Sequence, residues 1–203
     1  MSTIEVSHVS RWYGNVVAIN DVTMTIGPGV TGLLGPNGAG KSTLLHLIAG
    51  FLAPSRGELT VAGTASWHNP GIYRTVGLVP ERDSVYSFLT GEAFVRATAQ
   101  LHKLPDPEAA TRRAIGIVEM ADAQDRRIST YSKGMRQRIK VAAALVHDPP
   151  ILLLDEPFNG MDPRQRLHMM DLLHRLGEQG VRLRAVLPAD ESLESVFTYL
   201  VAS

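Results

Sequence analysis

The chain has 203 residues, of which 20 are basic, 20 are acidic and none is cysteine. This length is typical of a single domain, and the zero formal charge gives no general attraction to nucleic acid. The lack of cysteine excludes disulfides, thiolate catalysis and cysteine-ligated metals. The N-terminus does not resemble a signal peptide, and the longest apolar run, residues 141–146, is too short to span a membrane, so we expect a cytoplasmic protein.

Strands and turns are predicted for the beginning of the chain. Apolar residues alternate loosely over residues 1–26, and turn residues interrupt them at 13–15 and 27–29, which indicates two or three antiparallel strands. A short apolar strand is predicted over residues 30–34. Further strands are predicted within residues 57–65 and 76–79, and the helix that precedes them should end near Gly50.

A glycine-rich loop follows the strand predicted at 30–34. Residues 35–42 match G-x-x-x-x-G-K-[ST], and a helix with an apolar face follows them. Glycines let the backbone curl so that amide groups point at phosphate oxygens, and the helix N-terminus adds partial positive charge. Lys41 can reach the β- and γ-phosphates, and Ser42 can ligate Mg²⁺. An ordinary turn is the alternative, but the complete motif predicts a nucleoside-triphosphate site formed by Gly35, Asn37, Gly38, Ala39, Gly40, Lys41, Ser42 and Thr43.

The chain changes character near residue 86. Residues 87–147 carry helical patterns interrupted by prolines, which predicts an inserted helical subdomain. Residues 151–154 form a continuous apolar run, as expected of a parallel strand that is buried on both faces. A helix is predicted over residues 163–178. We therefore predict one α/β domain, in which residues 1–86 and 148–203 form a phosphate-loop NTPase core with an N-terminal antiparallel β subdomain.

Two acidic residues, Asp155 and Glu156, directly follow the predicted buried strand. Ligands bind at the carboxyl ends of strands in open α/β sheets, where a carboxylate can hold Mg²⁺ opposite the phosphate loop. Glu156 can take a proton from an attacking water, a role typically worth about 10²–10⁴ in rate. A solvated acidic pair at a strand end is the alternative.

Residues 131–138 are the second informative stretch. Ser132 suits the N-cap of the helix that runs to residue 146, and this role alone would account for it. With the Gly134 backbone and the helix dipole, Ser132 could also form a second anion site. Basic residues in and near this stretch are expected to form a solvated helical face; they are Arg126, Arg127, Lys133, Arg136, Arg138 and Lys140.

These motifs together resemble the nucleotide-binding domain of an ATP-binding cassette (ABC) transporter. The resemblance rests on the loop 35–42, the signature segment (residues 132–135, Ser-Lys-Gly-Met), and residues 152–156 with 160–162, and covers roughly residues 1–180. In that family two cassettes sandwich two ATP molecules, each between the phosphate loop of one subunit and the signature segment of the other. The resemblance implies ATP and Mg²⁺ as cofactors, and a second ATPase subunit, identical or not, as partner. It also implies a separate membrane permease and a peripheral position on the cytoplasmic face of the membrane, with no nucleic-acid partner.

The resemblance also implies roles for single residues. Tyr13 would stack on adenine, with Trp12 as the rival ring. Ser132 and Gly134 would contact a γ-phosphate of the ATP bound by the other subunit. In the acidic pair 155–156, the first carboxylate would support Mg²⁺ and the second would polarise the attacking water.

Two residues depart from the family pattern. Glu81 stands where the family usually has a glutamine, at the junction of the strand 76–79 with the helical subdomain. It could contact Mg²⁺ or water, or it could be a charged residue at an exposed turn. Lys133 stands where many members have glycine. Because the Ser-Lys-Gly-Met form is similar to that of exporter-type cassettes, export is favoured over import.

A third departure concerns a histidine that the family places after one more buried strand, in contact with the γ-phosphate. The last histidine here is His174, inside the helix predicted at 163–178. Residues 181–187 resemble a half-exposed strand, and residues 188–197 resemble the C-terminal tail of longer exporter cassettes. We therefore expect an internal deletion that removed a central strand and shortened the core. Loss of such a phosphate contact costs about 10²–10³ in rate by analogy with oxyanion donors, which leads to the hypothesis of MgATP binding with poor hydrolysis.

Three functions therefore stay open. The first is the ATPase subunit of a transporter, which the acidic pair 155–156 favours. The second is a degenerate cassette that binds ATP with little turnover, which the missing histidine favours. The third is an ABC ATPase that acts on DNA or the ribosome, which the neutral charge and the lack of coiled coils or a tandem cassette disfavour.

Overall fold

The computed structural model describes residues 3–33, 35–82, 84–178 and 183–186, with residue 178 and the last four described by their backbone alone. Within this part of the chain, two sheets organise the molecule. The first is antiparallel and holds the strands β1 (Ile4–Tyr13), β2 (Val16–Ile26), β3 (Arg56–Val61) and β4 (Thr64–Ala65) in the order β2-β1-β3-β4. The predicted N-terminal β subdomain is therefore present, with two strands before residue 27.

The second sheet is parallel. Its strands are β5 (Val76–Val79), β6 (Ile151–Asp155) and β7 (Leu183–Val186), and β6 lies between the other two. Every residue of β6 is buried, as the continuous apolar run predicted. Because neighbouring side chains on a strand point to opposite faces, β6 separates two cores: Ile151 and Leu153 pack with one cluster, and Leu152 and Leu154 with the other.

The first core lies between the two sheets. It holds the buried face of β1 and the helix α1 (Lys41–Ile48), which ends just before Gly50 as predicted. A short helix, α2 (Ile72–Thr75), leads into β5. The phosphate loop at the start of α1 is thereby supported from below by β1 and β2.

The second core joins the helical subdomain to β6. Its helices are α3 (Gly91–Leu101), α4 (Pro107–Ile117), α5 (Lys133–Leu145) and α6 (Pro163–Glu178). Polar side chains cap four helix N-termini by accepting a backbone N–H bond: Thr90 from Ala93 (3.1 Å), Asp106 from Ala109 (2.9 Å), Ser132 from Met135 (3.2 Å) and Asp162 from Gln165 (2.9 Å). No described helix combines the length and apolar character that crossing a membrane requires.

The strand predicted at residues 30–34 is wrong for the part that is described, since residues 30–33 form no strand. Among the described residues β6 is paired on both sides, by β5 and by β7, and residues 30–33 pair with none of these three strands. This segment is held by side-chain packing instead. Val30 lies beside Gly177 of α6, and Leu33 packs on the core that contains α1.

The C-terminal expectations have different outcomes. The strand predicted over residues 181–187 is present as β7, at residues 183–186, paired in parallel with β6. The tail predicted from residue 188 lies outside the described residues. The internal deletion therefore stays a prediction.

Candidate functional site

The phosphate loop is shaped by its glycines. Gly38 and Gly40 have φ values of +83° and +86°, in the region that disfavours residues with a Cβ. A Cβ on Gly40 would overlap the carbonyl oxygen of Ala18 in β2, whereas one on Gly38 would meet nothing. Ala39 closes the turn by donating its N–H to the Pro36 carbonyl (3.1 Å). The loop is therefore pressed against β2 at one defined point.

Lys41 begins α1 and points back into the loop. Its side chain is only 9% exposed, and its ammonium donates to the carbonyl oxygens of Gly35 (2.5 Å) and Pro36 (3.0 Å). A buried ammonium needs such partners because desolvation of an unpaired charge is costly. The arrangement keeps the only charge of the motif within the curl of the loop, where phosphate oxygens are expected.

A hydrogen bond joins the loop to the central strand. Ser42 donates its hydroxyl to Asp155 Oδ1 at 3.1 Å, although 113 residues separate the two in sequence. Burial raises the pKa of the Asp155 carboxyl, and the charge of Glu81 adds to this rise. The Ser42 hydrogen bond and the charges of His46 and Lys41 oppose it. Of the three residues predicted as metal ligands, Ser42 and Asp155 are therefore in direct contact, and Glu81 affects Asp155 through its charge.

The donor set at this contact fits Mg²⁺. A carboxylate oxygen and a hydroxyl oxygen are ligands that hard cations prefer. The Asp155 carboxylate is also desolvated, which a cation would offset. No described group of three or more His, Asp or Glu residues is placed to hold a metal. This agrees with Mg²⁺, which is usually held by one or two protein ligands together with phosphates and water.

Glu156 follows β6 in a strained conformation. Its φ is +49°, which is uncommon for a residue with a side chain. Its Oε2 accepts a hydrogen bond from Asn159 Nδ2 (3.2 Å), and its carbonyl accepts one from the Asn159 N–H (3.2 Å). Strain of this kind is often kept at functional sites because it re-aims a side chain. Here it turns the second carboxylate out of the line of the strand.

Glu81 lies on an exposed segment after β5, near enough to Asp155 for its charge to affect the carboxyl there. The segment is held by Lys140, whose ammonium donates to the carbonyls of Pro80 (2.5 Å) and Arg82 (3.0 Å). Lys140 is only 4% exposed, so its prediction as part of a solvated face is wrong. It lies inside the apolar half of α5 and bridges to the neighbouring subdomain.

The two candidate aromatic rings differ in their surroundings. Tyr13, the last residue of β1, is 44% exposed, and the Arg11 guanidinium lies over its ring at 4.8 Å from the centroid. Arg11 is itself fixed by a hydrogen bond to the Ala53 carbonyl (3.0 Å). Trp12 is half-buried and donates its backbone N–H to Ser55 (3.1 Å). Tyr13 therefore offers the more accessible ring for stacking.

The signature segment lies apart from the phosphate loop. Ser132 is exposed and caps α5, while Gly134 is buried against the side chain of Gln165. Among the described residues, no hydrogen bond or ion pair joins residues 132–135 to residues 35–43. The structure therefore assembles Lys41, Ser42 and Asp155 and leaves the predicted second anion site elsewhere.

Three residues that take part in the site were not predicted from the sequence as site residues. Lys140 had a usable signal, because a lysine between Ile139 and Val141 in an apolar helix is expected to be buried and bonded to carbonyls. His46 and Asn159 had none, since their relation to the acidic pair depends on how α1 and the turn after β6 pack. A single sequence carries no record of that packing.

Most of this chain is similar to known proteins. The family model described as ABC transporter matches residues 19–159. The spermidine/putrescine import ATP-binding protein PotA of Bacteroides thetaiotaomicron is 37% identical over 172 residues, which cover 83% of this chain and 37% of PotA. The linearmycin resistance ATP-binding protein LnrL of Bacillus subtilis is 32% identical over 183 residues, or 88% of this chain and 58% of LnrL. The doxorubicin resistance ATP-binding protein DrrA of Mycobacterium tuberculosis is 36% identical over 185 residues, or 88% of this chain and 56% of DrrA. The chain therefore spans between 37% and 58% of these three relatives.

Solved structures agree on the fold. CbiO1 from Clostridium perfringens, part of the ABC transporter complex CbiONQ, superposes with a TM-score of 0.85 at 24% identity, over 96% of this chain and 81% of CbiO1. A dimeric ATP-binding cassette in a post-hydrolysis state, bound to ADP and Pi, gives 0.79 at 22% identity, over 92% of this chain and 88% of that one. The ATPase class and α/β fold predicted from the sequence are those of the matched family. Residues 19–159 make up more than two thirds of the sequence, and this chain therefore belongs to the ABC transporter family, as one of its ATP-binding domains.

Proposed function

We propose that this chain is the ATP-binding and ATP-hydrolysing subunit that energises transport through a separate membrane permease. The observation that carries the proposal is the 3.1 Å hydrogen bond between Ser42 and Asp155, which brings the phosphate loop and the end of the central strand into one site. Their contact supports a shared role on one bound ion.

The residues of the loop would grip the triphosphate. The backbone amides of Gly38 and Gly40 and the N-terminus of α1 supply positive dipoles, and Lys41 supplies the charge. Mg²⁺, when bound at Ser42 and Asp155, neutralises charge on the phosphates. Glu156 would orient the attacking water and accept its proton. Tyr13 would hold the adenine by stacking on its exposed ring.

A second ATPase subunit would complete the site. The signature segment contributes an exposed Ser132 at the N-terminus of α5 and makes no hydrogen bond to its own phosphate loop among the described residues. This favours a role of Ser132 and Gly134 toward ATP held by another copy or a related subunit. The dimeric form of one structural neighbour supports the same arrangement.

Similarity to known proteins is the basis for considering a permease, a position at the cytoplasmic membrane face and a direction of transport. The named relatives are ATP-binding proteins of import and of resistance. Because both directions occur among them, similarity favours neither. We propose export on the form of the signature segment, Ser-Lys-Gly-Met. The cargo is not encoded here, because in this family the permease contacts it.

A second candidate is ATP binding with little hydrolysis. The observation that favours it is that no histidine follows His174 in this sequence. Glu81 is a further unusual residue, because a second carboxylate beside Asp155 raises the local negative charge. The two candidates share the binding site and differ only in turnover.

Two measurements on the purified chain separate these functions. Equilibrium titration with a fluorescent ATP analogue, with and without Mg²⁺, tests the site; no Mg²⁺-dependent binding would refute both candidates. Phosphate release above that of Glu156→Gln then supports the ATPase. Release equal to that of Glu156→Gln supports the binding module. Co-purification with a membrane protein, rather than with nucleic acid, supports the role in transport.

A further inference from the structure

Two glycines are covered by side chains that come from the neighbouring helix. Lys133, the first residue of α5, lies where a Cβ of Gly160 would be; such a Cβ would overlap the lysine ammonium and lie 3.1 Å from Cε and 3.2 Å from Cδ. Gln165 of α6 covers Gly134 in the same way, with Oε1 at 2.9 Å from the corresponding position. The first turn of α6 thus covers a glycine of α5, and the first residue of α5 covers a glycine of the turn that precedes α6.

One of these glycines belongs to the turn that carries Glu156. Residues 156–161 form a compact turn closed by three bonds: Asn159 donates to Glu156 through its N–H and its side chain, and Met161 donates to Phe158. Gly160 has a φ of +65° and follows Asn159 directly. The side chain of Lys133 therefore lies flat on the turn, one residue from the group that bonds the Glu156 carboxylate.

We propose that Lys133 is a positioning residue for Glu156, acting by covering Gly160 and holding the turn 156–161 closed. The inference rests on the proposed role of Glu156 in hydrolysis. The contact is made by the aliphatic stem as well as the ammonium, and no hydrogen bond or ion pair of Lys133 is present within the described ranges. The side chain from Cδ to the ammonium therefore covers the turn by packing rather than through a paired charge.

The consequence for the reaction is geometric. Without a cover on Gly160, the turn can relax from its strained form, since Glu156 has a positive φ that a residue with a side chain rarely adopts. A displacement of about 1 Å at a reacting group can cost about 10²-fold in rate, so a partial loss of order here should cost about 10-fold. ATP affinity should not change, because the phosphate loop makes no hydrogen bond to this turn among the described residues.

Two substitutions at one position test the proposal. Lys133→Met keeps a long aliphatic stem and removes the charge, whereas Lys133→Ala removes both. Arg112→Ala, an exposed cation on α4, is the matched control for loss of one positive charge. Amide hydrogen exchange of the nucleotide-free chain should be faster over residues 156–161 in Lys133→Ala, and unchanged in Lys133→Met and Arg112→Ala.

Steady-state kinetics provide the second test of the proposal. Lys133→Ala should lower kcat about 10-fold with KM unchanged, and Lys133→Met should stay within about twofold of the starting chain. Equal exchange and equal rates in the Met and Ala variants would overturn the proposal: a shared change from the starting chain would indicate a role for the charge, and no change would indicate no role for Lys133. Because the exchange measurement needs no turnover, it still decides the proposal if the chain proves to hydrolyse ATP poorly.

Discussion

The phosphate loop and the signature segment both precede a helix, yet their surroundings differ. The loop is completed within the chain, since Ser42 bonds Asp155 of β6 and Gly40 is pressed on β2. The signature segment caps its own helix through Ser132 and contacts the turn and the helix that follow β6. In the proposed function, the first region is a half-site completed within the chain, and the second would act on ATP held by another subunit.

Burial accounts for this difference. Lys41 and Asp155 are buried and each has polar partners nearby, so their positions are set by the cost of desolvating a charge. Ser132 and Lys133 are exposed, and their positions are set by a helix cap and by packing on a glycine. Substitutions in the first region should therefore act on binding and folding of the single chain, and those in the second should act mainly on turnover.

The largest effect is expected at Glu156, the proposed general base, in the turn that the signature segment contacts. Glu156→Gln should lower kcat by about 10²–10⁴, because a general base is lost while the size of the side chain is kept. The affinity for MgATP should stay the same, as measured by titration with a fluorescent analogue alongside phosphate release. Glu108→Gln, an exposed glutamate at the start of α4, serves as control. A Glu156→Gln variant with the full rate would remove Glu156 from the mechanism.

The next largest effect, on stability, is expected at Gly40, where the phosphate loop contacts β2. Gly40→Ala should destabilise the fold by about 2–3 kcal/mol, because a Cβ at φ +86° would overlap the Ala18 carbonyl. Gly38→Ala is the matched variant: its φ is +83°, but its Cβ would meet open space, so about 1 kcal/mol is expected. Urea unfolding measures both. Equal midpoints for the two variants would contradict the close approach of loop and β2.

One variant from each region tests directly whether the two regions differ in their effect on MgATP binding. Lys41→Ala should weaken MgATP binding to the dilute chain about 10–100-fold, because a hydrogen bond to a charged group is worth about 1.5–3 kcal/mol. Ser132→Ala should leave this affinity unchanged and lower stability by about 1 kcal/mol through loss of the cap. Its effect on phosphate release should appear only at protein concentrations that allow dimers. Weaker binding in dilute Ser132→Ala would mean that the signature acts within its own chain.

The smallest effect lies at the far end of α5, remote from both regions. His147 stacks on His102 with ring centroids 3.9 Å apart, beside a groove of about 330 Å³, and neither of its ring nitrogens makes a well-formed hydrogen bond. Burial, and then the neighbouring His102, lower the pKa of His147 to about 4, with the Val76 backbone opposing the shift. Between pH 6.5 and 4 the unfolded chain therefore binds a proton that the folded chain does not, and stability falls as the pH is lowered.

This loss should be about 1 kcal/mol between pH 7 and pH 5, given that the pair is partly exposed. It is measured by urea unfolding at several pH values. His147→Phe keeps a ring on His102 without a titrating group, so it should flatten the slope in this window while leaving MgATP binding intact. An unchanged slope in His147→Phe would assign the pH dependence to other groups.

Much of the site was predictable because its residues are adjacent in sequence to strong local signals. Residues 35–42 carry a complete motif before a helix, and Asp155 directly follows the most apolar run of four residues that became β6. Ser132 was predicted as a helix cap, and it accepts the expected N–H bond. These features depend on local chain geometry, which a single sequence determines.

The sequence by itself thus determined the family, the alternation of the two sheets with helices, and the residues that line the phosphate loop. Tertiary structure alone decided that residues 30–33 form no strand, that Lys140 is buried, and that Lys133 covers Gly160. The physical reason is that each of these depends on which elements meet in space: a strand forms only where a segment pairs with a neighbouring strand, and a lysine is buried only where carbonyls from another element reach it.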